Sequence, residues 1–400
     1  MIGHVLARSV HTPLVALAVA AALAVAACSS DDDDGSSPTT RESAPAISTT
    51  GDAPAAVQDE LEAALADVMA RFDVPGAVVA VETPQGSWTA EAGVADIESG
   101  EPVSAEMVWP LRSLTKSITV TVLLQLADEG ALDLDATIDQ FVEGVPNGDE
   151  ITLHQLADMS SGVGDYTQSE EFLEEFIGDP TRQFTLEELN EYGTAEGSAF
   201  EPGTDRVYSN TATNLLGVVI ETVTGEPLAD VIQARVVDPL GLDQTTYPAG
   251  DDDWPEPHAQ GYQPGEDGLE PMFNNFSGMG ASGAMISTIA DMTVWAEALG
   301  TGQLISPERQ AERLEGSPLS EGPEYDRYAV GIGELEGWWG HTGEGLGFTS
   351  LAMYDPESAS TVVIFMNISQ AVGESPAGEE EQRHAPTVLM REIAPILANA

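Results

Sequence analysis

The sequence predicts an α+β fold, with an antiparallel sheet built from both chain ends, flanked by terminal helices and interrupted by an inserted, mainly helical domain. Three observations carry this. Strand-like segments occur early, at Gly76 to Glu82 and Ser87 to Ala95, joined by the turn Thr83-Pro-Gln-Gly86. They return late, at Tyr328 to Leu335, Phe348 to Tyr354 and Thr361 to Asn367. Between about residues 131 and 290 the pattern is one of helices and long polar loops, the arrangement expected of an insertion into a single sheet.

Along the chain, Val57, Leu61, Leu65, Val68, Met69 and Phe72 recur at helical spacing, and this first helix ends before Pro75. The run from Trp109-Pro110 enters a second helix, apolar nearly all round at Ile118, Val120, Val122, Leu123, Leu124 and Leu126, which closes at Glu129-Gly130. Ile151 to Asp158 and Leu216 to Val223 read as helices of the insertion, and Met292 to Leu299 as a helix after it. Thr361-Val-Val-Ile-Phe-Met-Asn367 is β-branched and continuous, as a central strand should be, and Pro386 to Leu397 forms a terminal helix.

The 42% hydrophobic content of the 400 residues is enough for a substantial core. Charge is lopsided: 68 acidic residues against 13 basic ones give a formal net charge of -55, which repels polyanions and excludes nucleic acid as a partner. The acidic runs, such as Asp31 to Asp34 and Asp251 to Asp253, read as solvated surface. At the N-terminus, Arg8 precedes an apolar run of fourteen residues, Leu14 to Ala27, too short to span a bilayer and readable as a signal peptide over residues 1–27. Val25-Ala-Ala-Cys28 resembles the lipobox of bacterial lipoproteins, in which such a cysteine becomes lipid-modified. Cys28 is the only cysteine of the chain. Residues 28–54, rich in Ser, Thr, Asp, Gly and Pro, read as a tether, and residues 55–400 as the folded domain. The expected location is therefore extracytoplasmic, on the membrane through a lipid anchor only, or secreted.

Ser113 and Lys116 stand three apart at the start of the buried helix. A serine hydroxyl is a poor nucleophile until a base takes its proton, and a lysine one turn away does so only when burial disfavours its ammonium form. Lys116 is also the only lysine of the chain, the other cationic residues all being arginines. Tyr208-Ser-Asn210 lies in the helical region, and His341-Thr-Gly343 begins near an expected edge strand. There is no Gly-x-Ser-x-Gly elbow, no histidine pair at metal-ligand spacing and no phosphate-cradling glycine loop, so neither metal nor cofactor is expected.

Taken in this order, Ser113-Leu-Thr-Lys116, Tyr208-Ser-Asn210 and His341-Thr-Gly343 resemble the motifs of the penicillin-recognising serine hydrolases, most closely class C β-lactamases and the related D-alanyl-D-alanine carboxypeptidases. The resemblance extends over about residues 60 to 396 and implies a β-lactamase/transpeptidase-like fold. It implies that Ser113 is acylated, that Lys116 and Tyr208 handle its proton, that Asn210 binds the substrate amide, and that His341, Thr342 and Gly343 line the opposite strand. The backbone N–H groups of Ser113 and Glu344 would form the oxyanion hole. Whether Lys116 or Tyr208 is the base stays open.

Three positions depart from that pattern. Arg112 stands before the nucleophile where relatives commonly have glycine, either tilting the local electrostatics or pointing outward. Glu334 and Glu336 stand where carboxypeptidases of this kind tend to place an arginine for the substrate carboxylate, leaving Arg112 and Arg327 as the nearest cations in sequence. The expected function is hydrolysis of D-alanyl-D-alanine-type peptides or β-lactams through an acyl-enzyme. The alternatives are an esterase or amidase for small neutral substrates, and an anchored cell-wall ligand-binding protein without turnover.

Overall fold

The computed structural model describes residues 46–248, 250, 254–374 and 380–399. The signal-peptide segment and Cys28 lie outside the described residues. In chain order the elements are β1 (Ile47–Gly51), α1 (Ala55–Arg71), β2 (Gly76–Thr83), β3 (Gly86–Asp96), β4 (Glu101–Pro102), β5 (Trp109–Pro110) and α2 (Leu114–Asp128). The insertion follows with α3 (Leu153–Ala157), α4 (Glu170–Gly178), α5 (Leu186–Ala195), α6 (Asn210–Thr224), α7 (Leu228–Ile232), α8 (Asp238–Leu240), β6 (Tyr262–Gly265), β7 (Gly268–Pro271) and β8 (Ile286–Ser287). The chain returns through α9 (Ile289–Thr301), α10 (Pro307–Arg313), β9 (Arg327–Tyr328), β10 (Gly333–Leu335), β11 (Trp338–Gly345), β12 (Phe348–Asp355), β13 (Ser360–Met366) and α11 (Ala385–Ala398).

The main sheet is antiparallel, in the order β1-β3-β2-β13-β12-β11-β10-β9, with β4 added to β3. The chain ends meet at its centre, where β13 pairs with β2 through Ile364↔Val79. Every residue of β13 is buried, so its unbroken apolar run reflects helices on both faces. α9 packs on β2, β12 and β13, while α11 packs on β12 and β13 and against α1.

Two expectations are corrected. Residues 47–51, assigned to the tether, form β1 and pair with β3, Thr49 opposite Ala90; their polar composition suits an outer strand whose stability comes from backbone hydrogen bonds. Tyr328 to Leu335 is not one strand but the hairpin β9-β10, reversed at Gly331, whose φ of 66° lies in the left-handed region where glycine pays no steric cost. His341-Thr-Gly343 lies inside β11 and pairs with Ala352, Leu351 and Ser350 of β12, while the hairpin reaches β11 only at Trp338, Trp339 and Gly340, so the motif stands on an open sheet edge as expected.

Candidate active site

Ser113 sits at the N-terminus of α2, partly exposed, while Lys116 one turn later is fully buried. Lys116 Nζ lies 3.1 Å from Ser113 Oγ, 2.6 Å from Asn210 Oδ1 and 2.9 Å from the Ser282 carbonyl oxygen. The last two are acceptors only, so they take N–H groups from the lysine. A neutral Lys116 then has its lone pair left for the Ser113 proton, which is the arrangement a general base requires. Burial pushes the Lys116 pKa down to about 7, against the opposing pull of Asp165.

Tyr208 stacks over the same ammonium, its ring centroid 4.9 Å from Nζ. Its ring is half-buried but its hydroxyl is sealed from solvent and makes no well-formed hydrogen bond, although Ser113 lies close enough to ease its ionisation. Burial, with Tyr328 and Tyr325 adding to it, holds the Tyr208 pKa well above the ordinary tyrosine range, so the resting side chain is the phenol. Asn210 Nδ2 donates to Asp165 Oδ2 at 3.0 Å, as does the Asn210 backbone N–H at 3.2 Å. That anchor fixes which end of the amide faces Lys116.

The opposite wall is β11. His341 is buried between two tyrosines: Nδ1 donates to the Thr342 carbonyl at 2.6 Å, so the Tyr328 hydroxyl, 3.1 Å from Nε2, donates to the other nitrogen. Burial, reinforced by the charge of Lys116, pushes the His341 pKa down to about 3. The Tyr325 hydroxyl accepts from the Thr342 N–H at 2.7 Å and lies 2.8 Å from Thr342 Oγ1. Gly343 is needed for closeness: a Cβ there would stand 2.4 Å from both the Leu111 carbonyl oxygen and Ser350 Oγ. His384, which caps α11 and lines the same cleft, donates from Nε2 to the Gly343 carbonyl at 3.0 Å.

Ser113, Asn210 and Glu344 line two adjoining cavities, one of about 370 Å³ that also includes Tyr208, Thr342 and Gly343, the other of about 270 Å³. The structure thus brings together every site residue expected within the described chain. Asp165, Ser282, Tyr325, Arg383 and His384 were missed, since none of them falls within the three motifs.

Arg112 does not point outward. It is buried with a φ of 52°, which accounts for glycine being suited to this position, and its guanidinium donates to the Gly345 carbonyl at 3.0 Å and to Asn274 between the rings of Phe276 and Phe348. Arg327 is bound to Glu334 at 2.6 Å and Arg391 to Glu336 at 3.4 Å, so these two acids are spent on internal pairs. The cation at the cavity is Arg383, from the segment before α11, and it is paired with Glu324 at 2.9 Å across the larger cavity.

A partly exposed serine hydrogen-bonded to a buried lysine of lowered pKa, facing a β-strand across a cleft, defines a Ser-x-x-Lys serine hydrolase site. Residues 61–385 match the beta-lactamase family, and the chain belongs to that family. It is 28% identical over 296 residues to the esterase EstB of Burkholderia gladioli, covering 67% of this chain and 73% of that protein. It is 26% identical over 357 residues to a D-aminopeptidase of Gluconobacter oxydans, covering 82% of this chain and 65% of the relative. Among solved structures, a D-stereospecific amidohydrolase from Streptomyces superposes with a TM-score of 0.70 at 30% identity, covering 84% of this chain and 98% of that one. The D-amino acid amidase from Ochrobactrum anthropi, complexed with L-phenylalanine amide, gives 0.74 at 25% identity, covering 86% and 98%.

Proposed function

We propose that this protein hydrolyses small amide or ester substrates, D-amino-acid amides and short D-peptides foremost, through an acyl-enzyme on Ser113. The observation that carries the reading is the 3.1 Å separation of Ser113 Oγ from a lysine nitrogen whose two other partners are acceptors, so that in its neutral form the lone pair is left for the serine proton. Lys116 takes the Ser113 proton as Oγ bonds to the carbonyl carbon, and the N–H groups of Ser113 and Glu344 receive the developing oxyanion. The carbon–nitrogen or carbon–oxygen bond then breaks, the proton passes to the leaving group by way of Tyr208, and water hydrolyses the acyl-Ser113 ester. Asn210 stands at the cleft to meet the substrate amide once it enters.

Carboxypeptidase or β-lactamase specificity is less well supported, because a substrate carboxylate would have to compete with Glu324 for Arg383. The esterase alternative is favoured by that same engagement and by the Burkholderia relative. The test is a fluorophosphonate probe followed by intact-protein mass spectrometry. One adduct is expected, absent in Ser113→Ala; labelling that survives this substitution would reject the mechanism. Steady-state comparison of D-alanine amide, a D-alanyl-D-alanine peptide, nitrocefin and a neutral p-nitrophenyl ester then ranks the substrates. Preference for either carboxylate-bearing substrate over D-alanine amide at low salt would return the reading to carboxypeptidase or β-lactamase chemistry.

A further inference from the structure

The smaller cavity beside Ser113 has a different character from the one that Arg383 enters. It is lined by an apolar, largely aromatic set including Tyr166, Phe172, Phe176, Phe273, Met279 and Leu346. The rings pack on one another, Phe172 against Tyr166 at 4.8 Å and Phe176 against Phe273 at 5.5 Å, so the wall is a built surface and not a gap. Two charged residues border it, Arg112 and Glu344. Arg112 is buried and committed to Gly345 and Asn274.

Glu344 is exposed. It follows Thr342 by two residues on β11, so its side chain stands on the same face of the strand, toward the cleft. Its Oε1 accepts from the Gln370 N–H at 2.7 Å, which pins the carboxylate at the rim, and its Oε2 makes no bond among the described residues. In the acyl-enzyme reading the same residue would offer its N–H to the reacting carbonyl, with its carboxylate held beside it. A carbonyl oxygen held on that N–H brings its α-substituents next to that carboxylate.

We propose that Glu344 is a specificity-determining residue that binds a substrate ammonium group, so that the preferred substrate carries a free α-amine next to the scissile carbonyl and an apolar or aromatic side chain seated in the smaller cavity. This deepens, and rests on, the acyl-enzyme reading. Anionic or N-succinylated acyl groups meet the Glu344 charge as repulsion.

The experiment compares kcat/KM for D-phenylalanine p-nitroanilide and N-succinyl-D-phenylalanine p-nitroanilide at about pH 6.5, below the ordinary α-amino range. Wild type and Glu344→Gln are both measured, with fluorophosphonate labelling of Ser113 in each. The wild type should favour the free amine by about tenfold or more. Glu344→Gln should shrink that ratio about tenfold, the sum of a lost attraction and a lost repulsion each worth several-fold for a partly solvated pair. The ratio is the readout, because any general damage to the oxyanion strand cancels in it. A ratio unchanged by Glu344→Gln, a wild-type preference for the succinyl substrate, or labelled enzyme that cleaves neither anilide would overturn the proposal while leaving the hydrolase reading standing. Absence of labelling and of cleavage together would reject both.

Discussion

Lys116 is a base only when unprotonated, and its pKa is lowered to about 7 by burial, so acylation should rise with pH through that value and level off above it. The rate of Ser113 labelling by a neutral fluorophosphonate measures this limb directly. Because Asp165 favours the ammonium form, Asp165→Asn should move the limb to lower pH; a move upward would contradict the assigned electrostatics. Lys116→Arg leaves a permanent charge at the same place, and a loss on the order of a hundredfold or more is expected. Activity within about tenfold of wild type would hand the proton transfer to Tyr208. His341, with its pKa near 3, should show the neutral Nδ1–H tautomer across the neutral range in nitrogen NMR and add no inflection to the rate profile.

At the level of elements, the site is a junction between the start of α2 and β11, with the cap of α11 bonded to β11 at Gly343. Gly343→Ala forces a methyl group into the Leu111 carbonyl and Ser350, so β11 must retreat from Ser113. The expected result is a loss of about a hundredfold in kcat/KM, the scale of a lost oxyanion donor, with a fall in stability of about 1–3 kcal/mol from overpacking. Thermal melts and labelling rates read the two effects separately. What was legible in the sequence follows from the range of each contact. Ser113 and Lys116 face one another through a single helical turn, and β13 announces itself as a continuous apolar run. Asp165 acts on a residue 45 positions away and His384 on one 41 away, so no local pattern marks either. The β9-β10 hairpin was hidden for another reason: Gly331 breaks an otherwise strand-like composition without changing its hydrophobicity.

For the molecule as a whole, a formal net charge of -55 works against compaction, and screening should relieve it. The melting temperature is therefore expected to rise from low to molar sodium chloride; a fall would mean that attractive ion pairs such as Arg71–Glu392 dominate. The proposed lipid anchor predicts that Cys28→Ser releases the protein from the detergent fraction of a membrane extract, and an unchanged, fully processed membrane fraction would reject it. β1 carries a different consequence. Without residues 47–51 the backbone of β3 from Trp88 to Ala92 would be left bare on one side, a ready template for another chain. A chain begun at residue 55, where the hydrophobic pattern starts, should elute as aggregates in size-exclusion chromatography, while one begun at residue 46 stays monodisperse. Five strand spacings separate β1 from β11, roughly 24 Å, so β1 enters the sheet well away from the Ser113 cleft.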